Sequence, residues 1–190
     1  MDFQRFLVAF SHVERVTHRK HRDDSWVYEN DTEHSYNLAM TAWFLAEYFP
    51  ELDKSLVIKY ALVHDLVEVH AGDTYVYADP EEIASKADRE TKALKQLEND
   101  WPDFADLTRT IHEYEQKASP EANFIYALDK IMPIMMIYIH DGYTWSQEDI
   151  NLGRLDEAKR SKVSLSPEIL PYYEKLYEIL LNSPHLIPTK

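Results

Sequence analysis

The sequence predicts an all-α protein, a single-domain helical bundle, and two observations carry that prediction. Only 3 of the 190 residues are Gly, too few for a series of tight hairpin turns, and no run alternates apolar and polar residues cleanly over a strand's length. Apolar residues instead recur at helical spacing between Pro, Asp and Ser breakers.

Phe3 to Val16 carries Phe3, Phe6, Leu7, Phe10 and Val13 on one face, which predicts a first helix. A basic patch, Arg15, His18, Arg19, Lys20, His21 and Arg22, closes it. Asp23 to Asn30 has no period and reads as a loop. Asp31 or Thr32 is the expected cap of a second helix over about 31–48, with Pro50 marking its exit. A third helix is expected over about 54–70, ended by Ala71-Gly72-Asp73-Thr74. Asp79-Pro80 opens a Lys- and Glu-rich helix, Pro102 another, and Ser119-Pro120-Glu121 one that runs to about His140 past an internal Pro133. Two amphipathic helices, about 146–161 and 167–182, complete the chain. No linker or repeat divides it, so one domain over 1–190 is expected, with a core at about 3–140.

Composition narrows the chemistry. With no Cys, a Cys nucleophile, a disulfide and a zinc-thiolate site are all excluded, and any metal must be held by His and carboxylate. The formal net charge of −14 repels the phosphate backbone of a polymeric nucleic acid but leaves a small anionic ligand open. No apolar stretch approaches the length of a membrane span, and a soluble cytoplasmic protein is expected.

One stretch stands apart: Ala61-Leu62-Val63-His64-Asp65-Leu66-Val67-Glu68-Val69 sets three metal- or proton-capable side chains in an apolar run. On a continuous helix Glu68 lies at i+4 from His64 and i+3 from Asp65, so all three look toward one side. An ionised Asp there needs a partner, and a bound cation would serve. The competing reading is a core helix with a hydrogen-bonded His and a surface acid pair. His140-Asp141 repeats the dipeptide, but Gly142 follows at once, so that copy reads as a helix C-terminus with an αL cap. His34 on the second helix and Asp129, within Ala127 to Met132, share the misfit of a ligand-type residue on an expected core face. Two imidazoles and two carboxylates suit Mn, Fe, Co, Ni or Zn better than a calcium cage.

The ordered set resembles the HD-domain phosphohydrolase superfamily. Thr32-Glu33-His34-Ser35, His64-Asp65-Leu66-Val67-Glu68, Gly72-Asp73 and Leu128-Asp129-Lys130 resemble its metal-dependent 5'-nucleotidases acting on deoxynucleoside monophosphates. The resemblance implies that His34, His64, Asp65 and Asp129 hold a divalent ion (Mn, Co, Fe, Ni, Zn or Mg), and that Glu68 and Asp73 position water or move protons. It also implies a nucleotide substrate and a homodimer. The branch has an Arg-Trp pair at the end of its first helix, at about the place where this chain has Arg19-Lys20 and, further on, Trp26. Arg19 suits a phosphate, and Trp26 either stacks on a base or packs on the core. Arg15 and Arg22 could join the clamp, with Tyr28 and Tyr75 near the base or sugar. Another HD hydrolase acting on a nucleoside triphosphate or alarmone, an HD-type di-iron oxygenase, and a non-catalytic nucleotide-binding module are the alternatives.

Overall fold

A computed structural model describes residues 1–188. Among the described residues the structure is helical apart from one two-stranded antiparallel hairpin, and the chain groups into two compact units. The first comprises Met1–Arg15 and Asn30–Ala122, the second Val16–Glu29 and Asn123–Lys190.

In the first unit, α1 (Asp2–Phe10) buries Phe6 and Phe10 and stops there, six residues short of the Val16 expected. The next element is a strand, β1 (Glu14–Lys20), paired with β2 (Trp26–Asn30), where helix end and loop were expected. Val16 and Thr17, and Trp26-Val27-Tyr28, are β-branched and aromatic residues that pack well on a pleat. The turn between them is built by Asp23, whose carboxylate accepts from the Ser25 backbone at 3.1 Å and its hydroxyl at 2.6 Å, while Asp24 takes φ 62°.

Next, α2 (Asp31–Ala46) is capped by Asn30 rather than by Asp31 or Thr32. Asn30 and Glu33 form a reciprocal capping box, at 3.0 and 3.3 Å. That frees Asp31 from capping, and its side chain is fully buried. Asp53 caps α3 (Lys54–Val63), which ends where the His-Asp pair begins. Tight i+3 bonds, Leu66 N–H to Val63 O at 3.1 Å and Glu68 N–H to Asp65 O at 2.8 Å, carry the chain into the single turn α4 (Glu68–Ala71). The expected helix over 54–70 is therefore broken at its functional centre. Gly72, at φ 74°, then turns the chain out toward Asp73.

Asp79 caps α5 (Pro80–Asp100), as its Asp-Pro signal predicts, and α6 (Ala105–Gln116) comes after it, starting later than Pro102. Beneath residues 63–67 lies an apolar cluster of Phe6, Phe10, Val63, Leu66, Val67, Ala93, Leu97, Leu107 and Ile111. It anchors the irregular segment from below, so packing holds the break together with the tight i+3 bonds.

The second unit contains most of the hairpin (Val16–Glu29), most of α7 (Pro120–Ile139), then α8 (Tyr143–Gln147), α9 (Leu152–Val163) and α10 (Leu170–Leu181). The helix expected over 146–161 is split: Asp149 adopts φ 50° and Asn151 caps α9. Gly142 closes α7 at φ 72°, as its position after His140-Asp141 predicts, and a Cβ there would meet the Leu186 carbonyl oxygen at 2.2 Å. Contrary to the length expected, α7 is long and apolar enough to match a membrane span, but Asp129-Lys130 interrupts its middle and more than half of it is buried.

Candidate metal centre

Within the first unit, His34, His64 and Asp65 come together. His34 sits in the first turn of α2, directed inward by the capping box before it, and is 1% exposed. His64 follows α3 at the start of the tight segment, and the two imidazole centroids are 5.4 Å apart. Each of the three residues offers a ligand atom within 4.8 Å of the others.

The tautomer of His64 can be read from its partner. Its Nδ1 lies 2.9 Å from the Ala61 carbonyl oxygen, which can only accept, so Nδ1 carries the proton and Nε2 presents a lone pair. That Nε2 lies 2.9 Å from Asp65 Oδ2. Two ligands at about 90° on one ion, with bonds of about 2.1 Å, stand roughly 3 Å apart. A nitrogen lone pair, a carboxylate oxygen and a second buried imidazole are therefore a donor set that fits a divalent cation.

Glu68 and Asp73 are near enough for the charge of one to act on the other. Glu68 is 3% exposed, with Lys86 Nζ 3.9 Å from Oε1. Burial pushes its carboxyl well above the usual range, and the charges of Asp65, Asp73 and Asp31 push it further. Asp73 is half-buried on the turn after Gly72. Arg89 pins that turn, donating to the Ala71 carbonyl at 2.5 Å and to Thr74 Oγ1 at 2.6 Å.

Two further residues, Arg15 and Asp31, belong to this surrounding, in roles other than those expected of them. Arg15 Nη1 donates to Asp31 Oδ1 at 2.9 Å and to Asp65 Oδ2 at 2.8 Å. Arg15 therefore belongs with the acids and not with a phosphate clamp, and Asp31 is a buried counter-charge rather than a helix cap. Burial raises the Asp31 carboxyl, helped by the charge of Asp65, and Arg15 opposes the rise. The only signal in the sequence was an Asp directly after a better cap, Asn30, with Glu33 completing the box.

Three further site candidates, Asp129, Trp26 and Arg19, lie in the second unit. Asp129 is buried on α7 and accepts from Lys130 Nζ at 2.5 Å. Trp26 is on β2, not in a loop, and stacks on Tyr143 at 3.8 Å between centroids, with Lys20 over its ring. Arg19 is half-buried on β1, and its charge, with that of Lys20 and the dominant effect of burial, lowers the pKa of His140.

A groove of about 480 Å³ also opens in the first unit, walled by Phe3, Leu7, Tyr36, Leu62 and Phe104 among others, with Lys59 and Asp106 also in its lining. None of His34, His64, Asp65, Glu68 and Asp73 lines it. It is an apolar surface feature and not the place for phosphate chemistry.

Compared with known proteins, residues 12–170 match the family model described as the HD domain. The chain belongs to the HD-domain family. Two curated relatives of this HD-domain protein are each named 5'-deoxynucleotidase HDDC2. The Mus musculus protein is 32% identical over 141 residues, covering 69% of this chain and 66% of that protein. The Homo sapiens protein is 32% identical over 120 residues, covering 58% and 56%. Each match spans under two thirds of the relative's length. Among solved structures, a predicted metal-dependent phosphohydrolase from Magnetospirillum magnetotacticum MS-1 superposes with a TM-score of 0.80 at 29% identity, covering 98% of this chain and 94% of that one. The helical fold is thus the family's own, and its donor set suits a divalent metal.

Proposed function

We propose that this HD-domain protein is a metal-dependent phosphohydrolase that releases phosphate from nucleoside 5'-monophosphates, deoxynucleosides among them. The observation that carries the reading is the convergence of His34, His64 and Asp65 beside a buried Glu68. The names of the relatives and of the structural neighbour support the same reaction class. Asp129, a buried carboxylate on an apolar helix, is assigned as the fourth ligand by its place in the family pattern.

A divalent ion held there would polarise a phosphoryl oxygen and bring the pKa of bound water toward neutrality. The chain's own groups do the rest. Glu68 and Asp73 serve as the acid and base that take a proton from water and give one to the leaving oxygen. Arg19 neutralises charge on the phosphoryl oxygens, and Trp26, its ring fixed by Tyr143, contacts the base or sugar.

Release of inorganic phosphate is measured across ribo- and deoxyribonucleoside mono- and triphosphates, with Mn, Co, Mg or Zn supplied. Monophosphates are expected to react at least about 10-fold faster than triphosphates, a preference worth about 1.4 kcal/mol. Turnover confined to triphosphates, or none with metal bound, would overturn the assignment.

The protein is also assigned as a cytoplasmic homodimer. In support, Tyr36, Met40, Trp43 and Phe44 form an exposed apolar stripe on α2, spaced as one helical face, and Tyr36 continues it into the groove. Light scattering at micromolar concentration is expected to give twice the mass of one chain, and Trp43→Asp to halve it. A wild-type monomer would refute the dimer.

A further inference from the structure

Next to the His34, His64 and Asp65 group lies a second set of carboxylates that the proposed reaction does not use as a set. Asp31, Asp65 and Glu68 each offer an oxygen within 4.8 Å of the others. Asp31 is 0% and Glu68 3% exposed, and one oxygen of each, Asp31 Oδ2 and Glu68 Oε2, is buried without a hydrogen-bond partner. Three carboxyls this close, two of them cut off from water, cannot all be ionised unless a cation lies among them; without one, a proton is held in its place.

The chain supplies a cation itself. A single nitrogen, Arg15 Nη1, bridges Asp31 Oδ1 at 2.9 Å and Asp65 Oδ2 at 2.8 Å. Nη1 is thus one donor between two acids, the role a bridging metal plays. Asp65 Oδ2 is the shared atom, since it also lies 2.9 Å from His64 Nε2. The side chain of Arg15 is 13% exposed, so water screens this contact weakly.

We propose that Asp31, Asp65 and Glu68 form a second cation site beside the first, and that the Arg15 guanidinium occupies it and so holds the centre at one divalent ion per chain. The inference rests on the metal reading above. Removing the guanidinium opens the second site to a divalent ion, with Asp65 bridging the two, the arrangement of two-metal hydrolases whose ions stand about 3.5–4 Å apart. Arg15 is thus a positioning residue that sets nuclearity.

The test titrates Mn²⁺ into the metal-stripped full chain and follows bound metal together with the electron paramagnetic resonance spectrum. Wild type is expected to saturate at one Mn²⁺ with an uncoupled spectrum. Arg15→Met is expected to saturate at two, with the spin-coupled spectrum of a bridged pair. Arg15→Lys, which keeps a cation, stays at one, and Asp31→Asn added to Arg15→Met returns the count to one. Arg15→Met stopping at one ion up to millimolar Mn²⁺, or wild type already taking two, overturns the inference. If Arg15→Met folds only when Mn²⁺ is present, two ions per refolded chain support it. Failure to fold even then counts against it, because the second ion is meant to replace the guanidinium. Wild type binding no Mn²⁺ instead refutes the metal reading itself.

Discussion

His64→Ala is expected to lose the divalent ion and phosphate release together, with activity falling about 10³-fold or more, because a metal supplies several kcal/mol of transition-state stabilisation. His64 provides an oriented lone pair: its Nδ1 proton is held by the Ala61 carbonyl, which turns Nε2 toward Asp65. Alanine removes both the ligand and the donor to a buried carbonyl, and it leaves a cavity beside Tyr114. The metal-free variant should therefore also be less stable by about 1–3 kcal/mol. The loss stays modest because Arg15 still neutralises Asp65. Elemental analysis, a phosphate-release assay and denaturant unfolding on one preparation separate these effects. Retention of wild-type metal content by His64→Ala would place the centre elsewhere.

Glu68→Gln separates proton transfer from metal binding. The amide has nearly the shape of the carboxyl but cannot exchange a proton, so kcat is expected to fall by about 10²–10⁴-fold. Metal content and KM should change little. Stability of the metal-free variant should match or exceed wild type, since the substitution removes a carboxyl whose ionisation is opposed by burial and by three neighbouring acids. Asp73→Asn on the Arg89-pinned turn provides the companion measurement. An unchanged kcat in both variants would remove the two acids from the reaction, whereas loss of metal in Glu68→Gln would make Glu68 a ligand.

The segments that carry His34, the His64-Asp65 pair and Asp129 were legible because ligand-type residues there fall on expected core faces, and that misfit is a property of the chain alone. Capping signals placed α5 and the start of α7 for the same local reason: Asp79, Pro80, Ser119 and Pro120 act on backbone groups a few residues away. The HD-domain pattern was likewise readable from the order of short motifs, and the match over residues 12–170 agrees with it.

Tertiary contacts decided the rest. Residues 14–20 and 26–30 pair as strands because each supplies the other's hydrogen-bond ladder, a gain invisible when either segment is taken singly. The break after Val63 overrides a good helical pattern because the cluster of Phe6, Phe10, Leu97 and Ile111 rewards burying Leu66 and Val67 on a tighter turn. Spacing alone could pair Asp65 with a metal. Only folding could bring it Arg15 from fifty residues away, because the energy of an ion pair depends on distance through space and not along the chain.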